Sequence, residues 1–194
     1  MPKIDAPTVA EHRDQRRAAL VEAGRRILAT DGVAAVTPAA VGAVAGIARS
    51  SVYQYFDSSV ALLAAIVEET FPEATRTLRE AVDAASNPAD KVSAYVSASL
   101  DLATNPEHRS FDGATTAALP AEFRERVDAL HREQYAPLVE ALVSAGAADP
   151  LLAAAFVGGL ITAAVRSVAA GSDVERVRTA LLAAVARGVL APPA

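Results

Sequence analysis

The sequence predicts an all-α fold: a small N-terminal helix-turn-helix unit followed by a larger helical domain, about nine helices in all. Three observations predict it. Apolar residues make up 52% of the chain and are mostly Ala, Val and Leu, while aromatics are only 5%, a balance that favours helices over sheets. Apolar positions recur at i, i+3, i+4 and i+7 through most of the chain, with no strand-period alternation of any length. Helix starts or restarts are marked by a proline at Thr37-Pro38, where Thr37 is the cap, at Asn87-Pro88 and at Asp149-Pro150.

The first helix is expected to open at the capping box Thr8 to Glu11, after a loose tail over residues 1–7. Leu20, Ala23, Ile27 and Leu28 give its apolar face, and His12, Arg13, Arg16 and Arg17 lie on its early turns. Such a basic cluster is in the plain case a solvated helix face. Asp31-Gly32 ends the helix. Thr37 then caps a second helix with Pro38 in its first position, and Val41, Val44 and Ala45 share one face. Gly46 is expected to end it in the left-handed conformation, with Ile47 plugging the space before the next helix. That third helix is expected over Arg49 to Phe56, with Val52 and Phe56 inward and Arg49, Ser50, Ser51, Tyr53, Gln54 and Tyr55 available outside. A short helix so furnished fits a DNA major groove and can bond phosphates and base edges. Two ordinary core helices would give the same helix–Gly–helix pattern.

Asp57 or Ser58 caps the fourth helix, which carries Val60, Leu63 and Val67 at helical spacing beside Leu62 and Ile66, and ends near Phe71-Pro72. Pro72 opens a helix through about Ala85 with Leu78 and Val82 inward. After Asn87-Pro88 a stripe of Val92, Tyr95, Val96, Ser99 and Leu100 marks the next, which Asn105-Pro106 breaks. His108 to Ala118 reads as a weakly patterned helical segment. From Pro120 a long helix shows Phe123, Val127 and Leu130 on one face, and Pro137 should kink or divide it before Gly146 ends it. Asp149-Pro150 starts an apolar helix through Ala170 that holds Gly158-Gly159, and a capping box at Ser172 to Glu175 opens the last helix, with Val174, Val177, Leu181, Val185 and Val189 inward.

With no cysteine in the chain, disulfides and Cys-ligated metals are excluded. A net charge of −5 argues against indiscriminate nucleic-acid binding. It is unevenly spread, +1 over residues 1–60 and −6 over the rest, which leaves the helix-turn-helix the less acidic end. Sixteen arginines stand against two lysines, Lys3 and Lys91, which with the alanine excess fits a GC-rich bacterial genome. No apolar h-region follows a basic start, so no signal peptide is expected. The longest apolar run, Leu151 to Val165, is shorter than the ~20 residues of a membrane span. It is expected as a buried helix of a cytoplasmic protein.

The segment from about Arg16 to Val67 resembles the N-terminal domain of the TetR family of transcriptional regulators. The matching pieces are the helix Ala18–Thr30, Asp31-Gly32, Thr37, Ala45-Gly46-Ile47, Val52-Tyr53-Gln54-Tyr55-Phe56 and Leu62-Leu63. Two positions depart from the family pattern: Ala48 stands where a Ser usually caps the recognition helix, and Ser59 where a Lys usually opens helix four. The resemblance implies a DNA-binding domain over residues 8–56, a connecting helix four over 57–71, and a ligand-binding and dimerisation domain over 72–194. It implies DNA contact by Thr37, Arg49, Ser50, Ser51, Tyr53, Gln54, Tyr55 and Ser59. With the start of helix one lying near the DNA backbone, it also implies phosphate contact by Arg13, Arg16 and Arg17. In the family, the two C-terminal helices pair with their copies about a two-fold axis, which would bring Gly158, Gly159, Leu181 and Val185 near a dimer interface. The family's small-molecule pocket would draw on Tyr95, His108, Phe111, Asp112, His131, Tyr135, Phe156 and Arg166, polar or aromatic groups set among Ala, Val and Leu.

The expected function is therefore a ligand-responsive DNA-binding regulator, a homodimeric repressor released from a palindromic double-stranded operator by a largely apolar effector. Its heads would enter successive major grooves about 34 Å apart. The alternative is a helical ligand-binding or protein-interaction module that has lost specific DNA reading, kept open by Ala48 and Ser59. No cofactor, metal or membrane partner is expected. The three histidines have no ligand-pair spacing, and there is no P-loop, dinucleotide fingerprint or nucleophile elbow to carry an enzyme.

Overall fold

The computed structural model describes residues 9–105 and 121–189. Eight α-helices and one short 3-10 turn are present among them, and no strand. The helices are α1 (Val9–Asp31), α2 (Pro38–Ala45), α3 (Arg49–Val52), α4 (Ser59–Asp83), α5 (Pro88–Thr104), α6 (Ala121–Ser144), α7 (Pro150–Ala169) and α8 (Val174–Gly188). Thr8 and the segment from His108 to Ala118 lie outside the described residues. The described residues form two compact units, the first of residues up to Glu69 together with residues 121–123, the second of Thr70 to Asn105 and the residues from Arg124 on.

The buried side chains of the first unit come from α1 (Leu20, Ala23, Ile27), α2 (Val41), α3 (Val52), Phe56, and the first half of α4 (Leu62, Ile66, Val67). In the second unit the core is assembled from Leu78 and Val82 of α4, Val92, Tyr95, Val96 and Leu100 of α5, Leu138 and Leu142 of α6, Val157 of α7, and Leu181 and Val185 of α8. No polar or charged residue is buried among the described residues. The charged clamps lie at the edges instead. Arg178, its side chain 17% exposed, bonds the Ser97 hydroxyl at 2.6 Å and Asp101 at 2.6 Å, fastening α8 to α5. Arg79 makes a two-pronged bond to Glu140, fastening α4 to α6.

Several expectations are corrected. Val44 and Val60 fit the helical stripe but are exposed; Val41 and Gly42 are the inward pair of α2. Helix four does not stop at Pro72, and α4 runs through it. A proline removes one i−4 hydrogen bond and crowds a carbonyl, a local cost that burial of Phe71, Ala74 and Leu78 on either side offsets. Pro137 likewise lies inside one undivided α6. The cap of the last helix is Asp173, not Ser172, and its carboxylate accepts from the Arg176 N–H at 2.8 Å.

The largest correction concerns α7. At 20 residues it is long and apolar enough to cross a membrane by length and composition, and only 22% of its apolar window is buried. Ala153, Ala154, Val157, Gly158 and Ala164 face inward, while Leu151 (72% exposed), Leu152, Phe156 (59% exposed) and Gly159 face out. Leu181 and Val185, expected at an interface, are core residues of the protomer.

Candidate nucleic-acid interface

The helix-turn-helix is held by two local devices. The Thr37 hydroxyl accepts from the Ala40 N–H at 3.2 Å and starts α2. Gly46 adopts φ 68°, and the Ile47 N–H donates to the Gly42 carbonyl at 2.8 Å, reversing the chain into α3. The turn is tight because Gly42 has no side chain: a Cβ there would lie 2.6 Å from the Ile47 carbonyl oxygen and 3.0 Å from Val52 Cγ2. In the sequence the one sign of this contact is the glycine itself, since a glycine inside a helix signals a close approach.

The reading element is shorter than expected. α3 proper covers Arg49–Val52, and residues 53–55 follow as hydrogen-bonded turns, with N–H bonds from Gln54 to Ser51 and from Tyr55 to Val52. Ala48 provides no side-chain cap, so the ladder starts on its carbonyl alone. With that cap missing, burial of Val52 and Phe56 fixes the segment. Arg49, Ser50, Tyr53 and Gln54 are exposed, and Ser51 and Tyr55 are half-buried. Arg49 Nη2 donates to the Tyr53 hydroxyl at 3.5 Å, and this neighbour raises its pKa further. Ser59 is half-buried as the first residue of α4, while Ser58 caps that helix by accepting from the Ala61 N–H at 3.1 Å.

From α1, Arg13 reaches the reading segment. Its Nη2 donates to the Gln54 carbonyl at 3.5 Å, and its guanidinium carbon sits 5.9 Å from the centre of the Tyr55 ring. Arg16 is exposed. Arg17 is otherwise engaged: it bonds Glu69 at 2.9 Å and lies 5.6 Å from the Phe56 ring. The phosphate role expected of Arg17 is thus countered by a carboxylate already in place.

The expected ligand residues are only partly gathered. Tyr95 and Tyr135 lie with ring centres 6.3 Å apart. Tyr95 donates its hydroxyl to the Gln134 carbonyl at 3.1 Å, and burial pushes the phenol pKa of both tyrosines up. The Tyr135 hydroxyl overhangs Gly158. His131 donates from Nδ1 to the Val127 carbonyl at 3.1 Å and meets Phe71 edge-on at 4.9 Å. Phe156 and Arg166 are on exposed surface rather than with the tyrosines, and Arg166 has no ion pair among the described residues. His108, Phe111 and Asp112 lie outside the described residues. No group of three or more His, Asp or Glu able to hold a metal occurs among the described residues.

Residues 20–66 match the family model for bacterial regulatory proteins of the tetR family. Over 100 residues the chain is 31% identical to the HTH-type transcriptional regulator BetI of Rhizobium meliloti (strain 1021). That match takes in 52% of this chain and 46% of the other, so it spans about half the length of the curated relative. Among solved structures, a protein of Pseudomonas aeruginosa PAO1 assigned as a transcriptional regulator is similar with a TM-score of 0.71 at 26% identity, covering 91% of this chain and 90% of that one. FadR from Bacillus subtilis in complex with stearoyl-CoA shares the fold with a TM-score of 0.76 at 17% identity, covering 89% and 98%.

Proposed function

We propose that this chain, which belongs to the TetR family of bacterial regulatory proteins, is a ligand-responsive repressor that binds a palindromic operator as a homodimer. The observation that carries the DNA reading is the turn between α2 and α3: capped at Thr37, reversed at Gly46, packed on Val52 and Phe56, and presenting Arg49, Ser50, Tyr53 and Gln54 to solvent. Arg49 and Tyr53, with Ser51 and Tyr55, would hold phosphates, and Ser50 and Gln54 would meet base edges. Thr37 and Ser59 would add hydroxyl bonds at the helix starts.

The dimer reading is supported by the exposed face of α7. Leu151, Leu152, Phe156 and Gly159 fall on one side of the helix, and an apolar face of that extent calls for a cover. A second copy supplies it, consistent with a cytoplasmic regulator. Gly159 sits within this face, whereas Gly158, Leu181 and Val185 act from inside the protomer. The effector reading rests on the second unit, where Tyr95 and Tyr135 bring two phenols together in an otherwise apolar core. FadR in complex with stearoyl-CoA is a precedent on this fold for a ligand that carries a long apolar chain. Binding would favour a conformer whose heads no longer match the operator, and the effect is limited by the ligand's differential affinity for the two states.

The test is a gel-shift titration against the intergenic DNA beside the protein's own gene, at two salt concentrations. A discrete complex that survives competitor DNA, weakens with salt and is lost in Arg49→Ala plus Tyr53→Ala is the expected result. A stable dimer with no specific complex on that DNA or on any duplex selected from random sequence would sink the reading. It would favour the module without DNA reading that Ala48 and Ser59 keep open.

A further inference from the structure

We propose that Glu69 is a positioning residue for DNA reading: it holds the Arg17 guanidinium on the Phe56 ring and so pins the end of the reading segment to α1 and α4. The proposal rests on the DNA-binding reading above and says what keeps the reading segment in place. Arg17 Nη1 lies 2.9 Å from Glu69 Oε1, and its guanidinium carbon lies 5.6 Å from the centre of the Phe56 ring. Phe56 closes the reading segment, with its N–H bonded to the Val52 carbonyl at 3.0 Å. Glu69 lies on α4, about 15 Å of helix beyond Ser59. One side chain of α1 thus ties the end of the segment to a point well along the next helix.

The segment needs such a hold, because Ala48 gives it no side-chain cap and α3 proper ends at Val52. Arg13 and Arg17, one helical turn apart on α1, lie by successive rings, Tyr55 and Phe56. Arg13 also gives a hydrogen bond to the Gln54 carbonyl. Arg17 gives the segment no hydrogen bond among the described residues, so its place on the ring depends on the carboxylate behind it. A ring attracts a cation anywhere over its face within about 6 Å, which alone does not fix a long side chain. Glu69 supplies the directional partner. The pairs of Arg25 and Arg26 with Glu22 stay inside α1, whereas Arg17 and Glu69 stand 52 residues apart and join two helices. Their side chains are 43% and 48% exposed, so the pair adds little to overall stability. That stability comes from Leu20, Ile27, Leu62 and Ile66, which the same two helices bury. A carboxylate in a unit that binds DNA otherwise only repels the backbone. Its use here is to set where the last turn of the segment sits.

The experiment measures affinity at several salt concentrations for two duplexes, one selected from random sequence by the wild-type protein and one unselected. It compares wild type, Glu69→Gln, Arg17→Gln and the double variant, each checked for unchanged helical content. If Glu69 only adds negative charge, Glu69→Gln tightens binding, and a freed Arg17 that takes a phosphate steepens the slope of log affinity against log salt by about 0.9. A positioning role has the opposite sign: Glu69→Gln is expected to weaken binding to the selected duplex by about two- to fivefold, the scale of one exposed ion pair, at the wild-type slope. The loss on the unselected duplex is expected to be smaller, since base reading depends most on where the segment sits. Arg17→Gln should match Glu69→Gln, and the double variant should lose no more than Arg17→Gln alone, because both act through one contact. The ring proton signals of Phe56 give a readout without DNA and should move in Glu69→Gln as they do in Arg17→Gln. Unmoved ring signals, unchanged or tighter binding by Glu69→Gln, equal losses on the two duplexes, additive losses in the double variant, or a slope shallower by about 0.9 in Arg17→Gln would each overturn the positioning role and leave the regulator reading standing. A wild-type protein with no affinity for any duplex overturns both proposals.

Discussion

The hydroxyl of Tyr135 occupies the space a side chain at Gly158 would need: a Cβ there would stand 2.3 Å from Oη and 3.1 Å from Cζ. The helix-interior glycine of α7 is thus explained inside the protomer, by the Tyr135 side chain of α6 laid over it. Gly158→Ala is expected to displace the ring and destabilise the protein by roughly 1–3 kcal/mol, read by thermal or urea unfolding. Tyr135→Phe removes the closest atom, so the double variant Gly158→Ala plus Tyr135→Phe should recover part of the loss. Equal unfolding midpoints for wild type and Gly158→Ala would refute this contact.

Gly42 makes a sharper case, because its obstruction is backbone. A methyl group there would meet the Ile47 carbonyl oxygen at 2.6 Å, and no rotamer change relieves that. Gly42→Ala should therefore lower stability and DNA affinity together. At Gly24 the equivalent contact is with the Ile66 Cδ1 tip, also 2.6 Å, which can swing away. Gly24→Ala is expected to cost less and to leave DNA binding near wild type, as unfolding curves and gel shifts on the same two variants would report.

Stability should fall on both sides of neutral pH for separate reasons. Arg79 holds the Glu140 carboxyl below its usual range through their two-pronged bond. A depressed folded pKa gives stability that is present above the ordinary carboxylate value and disappears as pH falls through the folded one. The pair is more than half exposed on the Glu140 side, so Glu140→Gln should cost under about 1 kcal/mol at neutral pH and nothing in acid. Burial pushes Tyr95 the other way, to a raised folded pKa. Its contribution is complete below about pH 10 and disappears as pH rises toward the folded value. Unfolding midpoints of Tyr95→Phe should thus decline less steeply in alkali than those of wild type.

Phe156→Glu and Leu152→Glu place charge on the uncovered face of α7. Both are expected to shift the protein from dimer to monomer in sedimentation equilibrium while leaving helical content unchanged, since neither side chain belongs to the protomer core. A dimer that survives both substitutions would remove that face from the interface.

The caps and breaks were the most legible part of the sequence. Thr37 and Gly46 cap where their chemistry predicts, and Asn87-Pro88 and Asp149-Pro150 are helix starts as read, because such signals depend on a few consecutive residues. What failed depends on distant contacts. Val44 and Val60 obey the helical period, yet no partner covers them in the protomer, and period alone cannot say which part of a stripe is packed. Pro72 reads as a stop by local rules, and the packing of Phe71 and Leu78 overrides it. Arg17 looks like its neighbours Arg13 and Arg16 until Glu69, far along the chain, is brought against it. The resemblance places Leu181 and Val185 near an interface, whereas both are buried inside the protomer, where α8 packs against α5 and α7.

The α3 segment keeps its shape without a capping side chain and, among the described residues, without any hydrogen bond from its outward residues to the rest of the unit apart from the one the Gln54 carbonyl accepts from Arg13. Its conformation is carried by Val52 and Phe56. The outward positions 49, 50, 53 and 54 are therefore exchangeable as a cassette: their identities can be rewritten while the backbone that displays them stays put. A protein built this way can acquire a different target through a handful of surface changes, with no renegotiation of its folding.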